Sequence, residues 1–168
     1  MTLLTMKLEP LSSAATRVTS INLLRVNECI FCNIARGREP ASILVESEHV
    51  VTLMSLYPFS EGHCLVIPKQ HVASLYQLDE HVGQTMFTQA QRLAQCVSNV
   101  VSCDWVQLMM HDDTLAGSHT LTPFHLHMHV LPRKHNVPYT ETRASQASRQ
   151  QLDNLAQQIR HAYTQSFQ

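Results

Sequence analysis

The residues with most chemistry to offer lie in one run, His125-Leu126-His127-Met128-His129-Val130-Leu131. Successive side chains of a strand point to opposite faces. The alternation therefore predicts His125, His127 and His129 on one face, about 6 to 7 Å apart, with Leu126, Met128 and Val130 on the other. One face is then apolar and the other a row of imidazoles. Imidazole is the commonest neutral metal ligand and also a side chain able to act as nucleophile or base near neutral pH, so the row admits both chemistries. A second cluster begins at Cys29-Ile30-Phe31-Cys32. A Cys-x-x-Cys pair is half a zinc site, or a redox pair where it opens a helix after a strand. His71, after the Pro68-Lys69-Gln70 turn, and His125 can complete a tetrahedral site with the two thiolates. Such a closed site would hold zinc structurally, brace the strand and leave His127 to act without a metal.

These side chains must be positioned by a small set of elements. Ile43-Leu44-Val45 and Val50-Val51-Thr52-Leu53-Met54, separated by Glu46-Ser47-Glu48-His49, read as a hairpin. The turn at Tyr57 to Gly62 leads to a third strand, His63 to Ile67, stopped by Pro68. Val82, Met86, Ala90, Leu93, Val97 and Val100 recur at helical steps and predict a helix between Asp79 and Cys103. Trp105 to Met110 and Phe124 to Leu131 read as strands, and Leu152, Leu155, Ile159 and Tyr163 predict a last helix. The expected fold class is α+β, an antiparallel sheet of about five strands with packed helices. An N-terminal arm over residues 1–26, a main domain over 27–135 and a C-terminal tail with a helix over 136–168 complete the division.

Composition narrows the function. The chain has 168 residues, Lys+Arg 12 against Asp+Glu 13, and a formal net charge of -1. That balance lacks the basic field on which general nucleic-acid or anionic-membrane binding relies, so neither is an expected partner. With no apolar run near the ~18 residues of a membrane span and no secretory signal pattern, the expected location is cytoplasmic. Only 4 Gly, all isolated, exclude a glycine-rich phosphate loop, while 11 His and 5 Cys enrich metal-capable groups. An odd number of Cys speaks against a disulfide framework, and Cys64, Cys96 and Cys103 sit singly in apolar surroundings as small buried hydrophobes. Lys69 and Arg133 flank the imidazole row and read as solvated charges, with phosphate pairing as the alternative. Asp112 and Asp113 read as turn residues, and His49, His81, His135 and His161 as surface residues.

The run His-apolar-His-apolar-His-apolar-apolar resembles the signature of the histidine triad superfamily of nucleotide hydrolases and transferases. Further matches lie upstream in order: the Cys29/Cys32 pair, Glu46, and Tyr57-Pro58-Phe59-Ser60-Glu61-Gly62-His63-Cys64-Leu65-Val66-Ile67-Pro68-Lys69-Gln70-His71, with Leu131-Pro132-Arg133 following the triad. The resemblance spans roughly residues 27 to 135. It implies that His127 attacks the α-phosphorus of a nucleotide and forms a nucleotidyl-histidine intermediate that water resolves. It implies that His129 contacts the phosphate or orients the nucleophile. In zinc-bearing members, His125 joins the Cys pair and the equivalent of His71 as a metal ligand. It further implies base contacts from Ile30 and Leu53, and a homodimer.

Departures from the family pattern bear on the same site. The Gln usual four residues before the first triad histidine is Leu121 here; aligned on Ala116-Gly117 instead, Ser118 takes its place and the loop is longer. His111 falls where the family often has Asn, and Ser55 where an Asp or Asn commonly holds the ribose. Thr122 matches the small hydroxyl residue that can donate to phosphate. Dinucleoside polyphosphates and nucleoside phosphoramidates are the implied substrates. Two other functions compete: a hydrolase whose imidazole row itself holds a catalytic metal, and a nucleotide-binding module without turnover.

Overall fold

The computed structural model describes residues 29–111, 125–137 and 145–168. The N-terminal arm, Ser118, Leu121, Thr122, Asp112 and Asp113 lie outside the described residues. Ile30–Ala35 form a short helix, α1, with Cys29 as its N-cap. Ile43–Glu46 (β1) and Val50–Met54 (β2) make the hairpin, Cys64–Pro68 (β3) follows, and Glu80–Val101 is the long helix α2. Trp105–Met110 (β4), Met128–Arg133 (β5) and the helix Arg149–Phe167 (α3) complete the set. The five strands form one sheet in the order β1-β2-β3-β5-β4, every pairing antiparallel. No helix among the described residues is long and apolar enough to cross a membrane.

The periodicities explain which face goes where. Met86, Ala90, Leu93 and Val97 are buried along α2, and Val101 rather than Val100 closes that face. They pack against Val50, Met54, Cys64, Val66 and Val130, one face of the sheet, together with Leu152, Ala156, Ile159 and Tyr163 of α3. The Asp79 carboxylate accepts a hydrogen bond from the Val82 N–H at 3.1 Å, satisfying an orphan donor of the first turn of α2. Tyr163 Oη donates to Gln89 Oε1 at 2.8 Å, so the two helices also meet through a buried polar contact. On the opposite face Val51, Leu53, Leu65 and Ile67 are covered by Phe31, Ile34 and Ala35 of α1. Past Leu65 that face continues onto His129, its partner across the β3/β5 ladder. The site therefore lies on the side of the sheet that the two long helices leave free.

The expected strand over Phe124–Leu131 differs from the observed one. β5 starts at Met128, and 125–127 leave the ladder. Only Cys64, Leu65 and Val66 of β3 pair with β5. Pro68 has no N–H to extend that pairing, and its carbonyl instead accepts from His125 Nε2 at 2.9 Å. The Leu126 N–H donates to the Val72 carbonyl at 2.7 Å. The segment thus peels away from the sheet and carries His125 toward α1.

Candidate active site and metal centre

Cys29, Cys32, His71 and His125 bring one ligand atom each to within 4.8 Å of one another. Cys29 Sγ lies 3.3 Å from His125 Nδ1, Cys32 Sγ 3.3 Å from His71 Nδ1, and Cys32 Sγ 3.5 Å from His125 Nδ1. A tetrahedron with metal–sulfur bonds of about 2.3 Å and metal–nitrogen bonds of about 2.0 Å has sulfur–nitrogen edges of about 3.5 Å, so the donor set fits such an ion. Because a carbonyl only accepts, the Pro68 contact places the His125 proton on Nε2 and the lone pair on Nδ1, toward the sulfurs. Burial lowers His125 to about 4 and so keeps the ring in the neutral form that ligates. Burial, then the neighbouring Cys29, pushes the Cys32 thiol up to about 12, so that sulfur ionises only beside a compensating cation.

The remaining histidines form a chain of fixed tautomers. The Phe59 N–H donates to His63 Nδ1 at 3.1 Å, so His63 carries its proton on Nε2. That proton goes to His129 Nδ1 at 2.8 Å, which leaves the His129 proton on Nε2. His127 Nδ1 donates to the His125 carbonyl at 2.9 Å, and its lone pair is thereby on Nε2. The His127 and His129 rings are 4.6 Å apart between centroids. Phe31 lies 5.1 Å from His127, and Phe59 stacks on His63 at 5.4 Å. Burial is the leading cause that lowers His63 and His129 to about 3 each, with repulsion among the imidazoles adding to it. His127 is also lowered, by burial first, against the opposing bond to the His125 carbonyl. A neutral imidazole with its lone pair on Nε2 is the form that attacks an electrophile.

The other sequence-predicted residues are distributed as follows. Ile30 is 46 % exposed at the start of α1, whereas Leu53 is 3 % exposed within the apolar layer under it. Ser55 is 5 % exposed, and its N–H donates to the His63 carbonyl. Lys69 Nζ pairs with Glu46 at 2.7 Å. Arg133, expected as a solvated charge, is buried, and its Nε donates to Gln107 Oε1 at 3.1 Å. Strand alternation explains the difference: Arg133 shares the sheet face of His129, two steps along β5. Cys64 and Cys96 are buried, with Cys103 partly so. His81, His135 and His161 are exposed, while His49 is half-buried against His81 with ring centroids 5.6 Å apart. Sequence reasoning gave no role to His63, Phe31 or Phe59. A signal for His63 was present, since alternation places it on the Leu65 face, opposite the row that holds His129.

Comparison with known proteins agrees with this geometry. Residues 36–136 match the HIT domain family, and Cys29 and Cys32 lie upstream of that match. Adenylylsulfatase HINT3 of Arabidopsis thaliana is 28% identical over 133 residues, 79% of this chain and 66% of that protein, just under two thirds of its length. Protein hit of Bacillus subtilis is 30% identical over 105 residues, 62% of this chain and 70% of its own. The crystal structure of a Zn-bound histidine triad family protein from Mycobacterium smegmatis superposes with a TM-score of 0.70 at 28% identity, covering 83% of this chain and 96% of that one. The chain belongs to the HIT domain family of histidine triad proteins.

Proposed function

We propose that the protein is a nucleotide hydrolase or nucleotidyl transferase that acts at the α-phosphorus through a covalent intermediate on His127. The observation that carries this reading is the tautomer of His127, whose Nδ1–H is tied to the His125 carbonyl so that the Nε2 lone pair is the nucleophile. The His129 Nε2–H, oriented by His63, donates to a phosphoryl oxygen as its charge develops. The Thr122 hydroxyl adds a second donor there, and Ser118 meets the leaving-group side. Ile30 contacts the base, with Leu53 in the apolar layer beneath it, and Ser55 contacts the ribose. Cys29, Cys32, His71 and His125 would hold a zinc ion. With four protein ligands it has no open position, so its contribution is to fix the segment on which His127 stands.

Dinucleoside polyphosphates and nucleoside phosphoramidates are the candidate substrates, and the name of the Arabidopsis relative adds adenylyl sulfate. The protein acts as a homodimer. β4 is an edge strand of low polarity, with Trp105 and Leu108 exposed, and a second copy would cover it. The test is mass spectrometry of acid-quenched protein after incubation with each substrate class, for wild type and His127→Ala. Wild type is expected to carry an adenylyl adduct and to release nucleotide, and His127→Ala to do neither while retaining about one zinc. Undiminished turnover by His127→Ala overturns the reading. Nucleotide binding by the wild type without turnover supports the binding module instead.

A further inference from the structure

We propose that His111 is a catalytic residue of this site, the group that hands a proton to the departing leaving group. The inference rests on the function proposed above and deepens it by naming the class of leaving group served. The β4/β5 register runs from Trp105↔Arg133 to Met110↔Met128. Met109 pairs with His129, and His111, two residues past Met109, falls on the same face by strand alternation. Residues directly opposed in an antiparallel pair share a face. His111 therefore emerges on the face of His127 and His129, away from the side covered by the long helices. Its ring centroid lies 6.3 Å from that of His129, edge-on at 82°, and its charge bears on both His127 and His129.

The other imidazoles are committed. His63 uses both nitrogens, accepting from Phe59 and donating to His129. His129 has its Nδ1 filled by His63, His127 supplies the nucleophile and His125 belongs to the metal cluster. Burial holds His63 and His129 neutral near pH 7, so they donate hydrogen bonds without releasing a proton. Among the described residues His111 is the exposed imidazole of this face. The titratable groups that His111 faces among the described residues are His127 and His129.

The proton balance is closed. In the first step the His127 Nε2 lone pair forms the N–P bond. The P–O or P–N bond to the leaving group breaks, its electron pair goes to the leaving atom, and that atom takes the proton of the His111 imidazolium. In the second step water attacks phosphorus and gives its proton to the now neutral His111. The N–P bond breaks with its pair returning to His127, and the starting state is restored. Such an acid matters for leaving groups that cannot depart as anions, amines above all, and little for those that can.

The experiment compares an adenosine 5′-phosphoramidate bearing an alkylamine, which must leave protonated, with 4-nitrophenyl adenosine 5′-phosphate, which releases a stable anion. His111→Ala and His111→Asn are expected to lower kcat/KM for the phosphoramidate by about 10² to 10³. The loss on the nitrophenyl ester should be at least about tenfold smaller, as for a missing acid. The alkaline fall in the phosphoramidate pH profile should disappear in both variants. Equal losses on the two substrates, or a loss under about threefold on the phosphoramidate, overturn the role of His111 while inactivity of His127→Ala leaves the covalent reading standing. Wild-type turnover of the ester alone also overturns it. Turnover by His127→Ala, or by no form of the protein, removes the covalent reading and this inference together.

Discussion

At the scale of single residues, the proposed function depends on which nitrogen of each histidine carries the proton, and buried partners decide that. His63 is the lever, because its Nε2–H fixes the His129 tautomer at 2.8 Å. His63→Leu is expected to lower turnover about hundredfold, the cost of losing one preorganised donor. His63→Gln, whose amide can still donate, should recover part of the loss; equal activity in all three proteins would show that the relay is idle. The same residue gives a pH signature. Its folded pKa is about 3, against 6.5 for the free side chain. Above 6.5 both states are neutral, and below it the unfolded chain takes up a proton that the folded chain refuses. Stability therefore falls between pH 6.5 and about 3. From pH 7 to 5 the expected loss from this group is about 2 kcal/mol. Urea titrations at the two pH values should give a smaller difference for His63→Leu than for wild type.

At the scale of elements, two short segments bear most of the positioning. α1 has six residues and no side-chain cap, too short to be stable by itself, and its Cys29 and Cys32 tie it to His71 and His125. Cys32→Ser, or chelation, is expected to remove the metal and cost about 3 kcal/mol, a fall of about 6 to 12 °C in Tm. Metal analysis alongside the melt checks this, and an unchanged Tm on metal loss would contradict the bracing role. The turn before β3 depends on Gly62, which has φ +79. A Cβ there would stand 2.9 Å from Val97 Cγ1 and 3.0 Å from Val101 Cγ1, both on α2. Gly62→Ala should destabilise by about 1 to 3 kcal/mol in urea. It should also displace His63, the next residue, so turnover would fall more than stability alone explains.

At the scale of the whole molecule, the sheet order leaves β4 at one edge with a six-residue strand that carries no charge. Natural edge strands are usually blunted by charge or cover, and this one has neither among the described residues. Leu108→Glu is expected to convert a dimer to a monomer in sedimentation velocity with the fold retained, because Leu108 is exposed in the single chain. A wild-type monomer would remove the dimer from the proposal.

The strands and the two long helices were legible because each has a local cause, whereas the six-residue α1 was not, its place being set by contacts with β2, β3 and the His71/His125 pair. Alternation marks the strands, three- and four-residue steps mark the long helix, and Pro68 marks the end of β3. The gathering of Cys29, Cys32, His71 and His125 was legible too, since two thiols and two imidazoles in one chain suit a shared metal site. His63, Phe31 and Phe59 were not, because their roles consist of contacts with residues distant in sequence. The burial of Arg133 was hidden for the same reason, its partner Gln107 lying on another strand. By itself the sequence determined the residue types and the apolar periods, which are properties of neighbours along the chain. Only the tertiary structure decided that His125 leaves the ladder for α1, and that each imidazole has one proton position. A carbonyl or ring nitrogen fixes a tautomer only where folding places it within hydrogen-bond distance. The same packing removes the water that would otherwise let those rings take up protons.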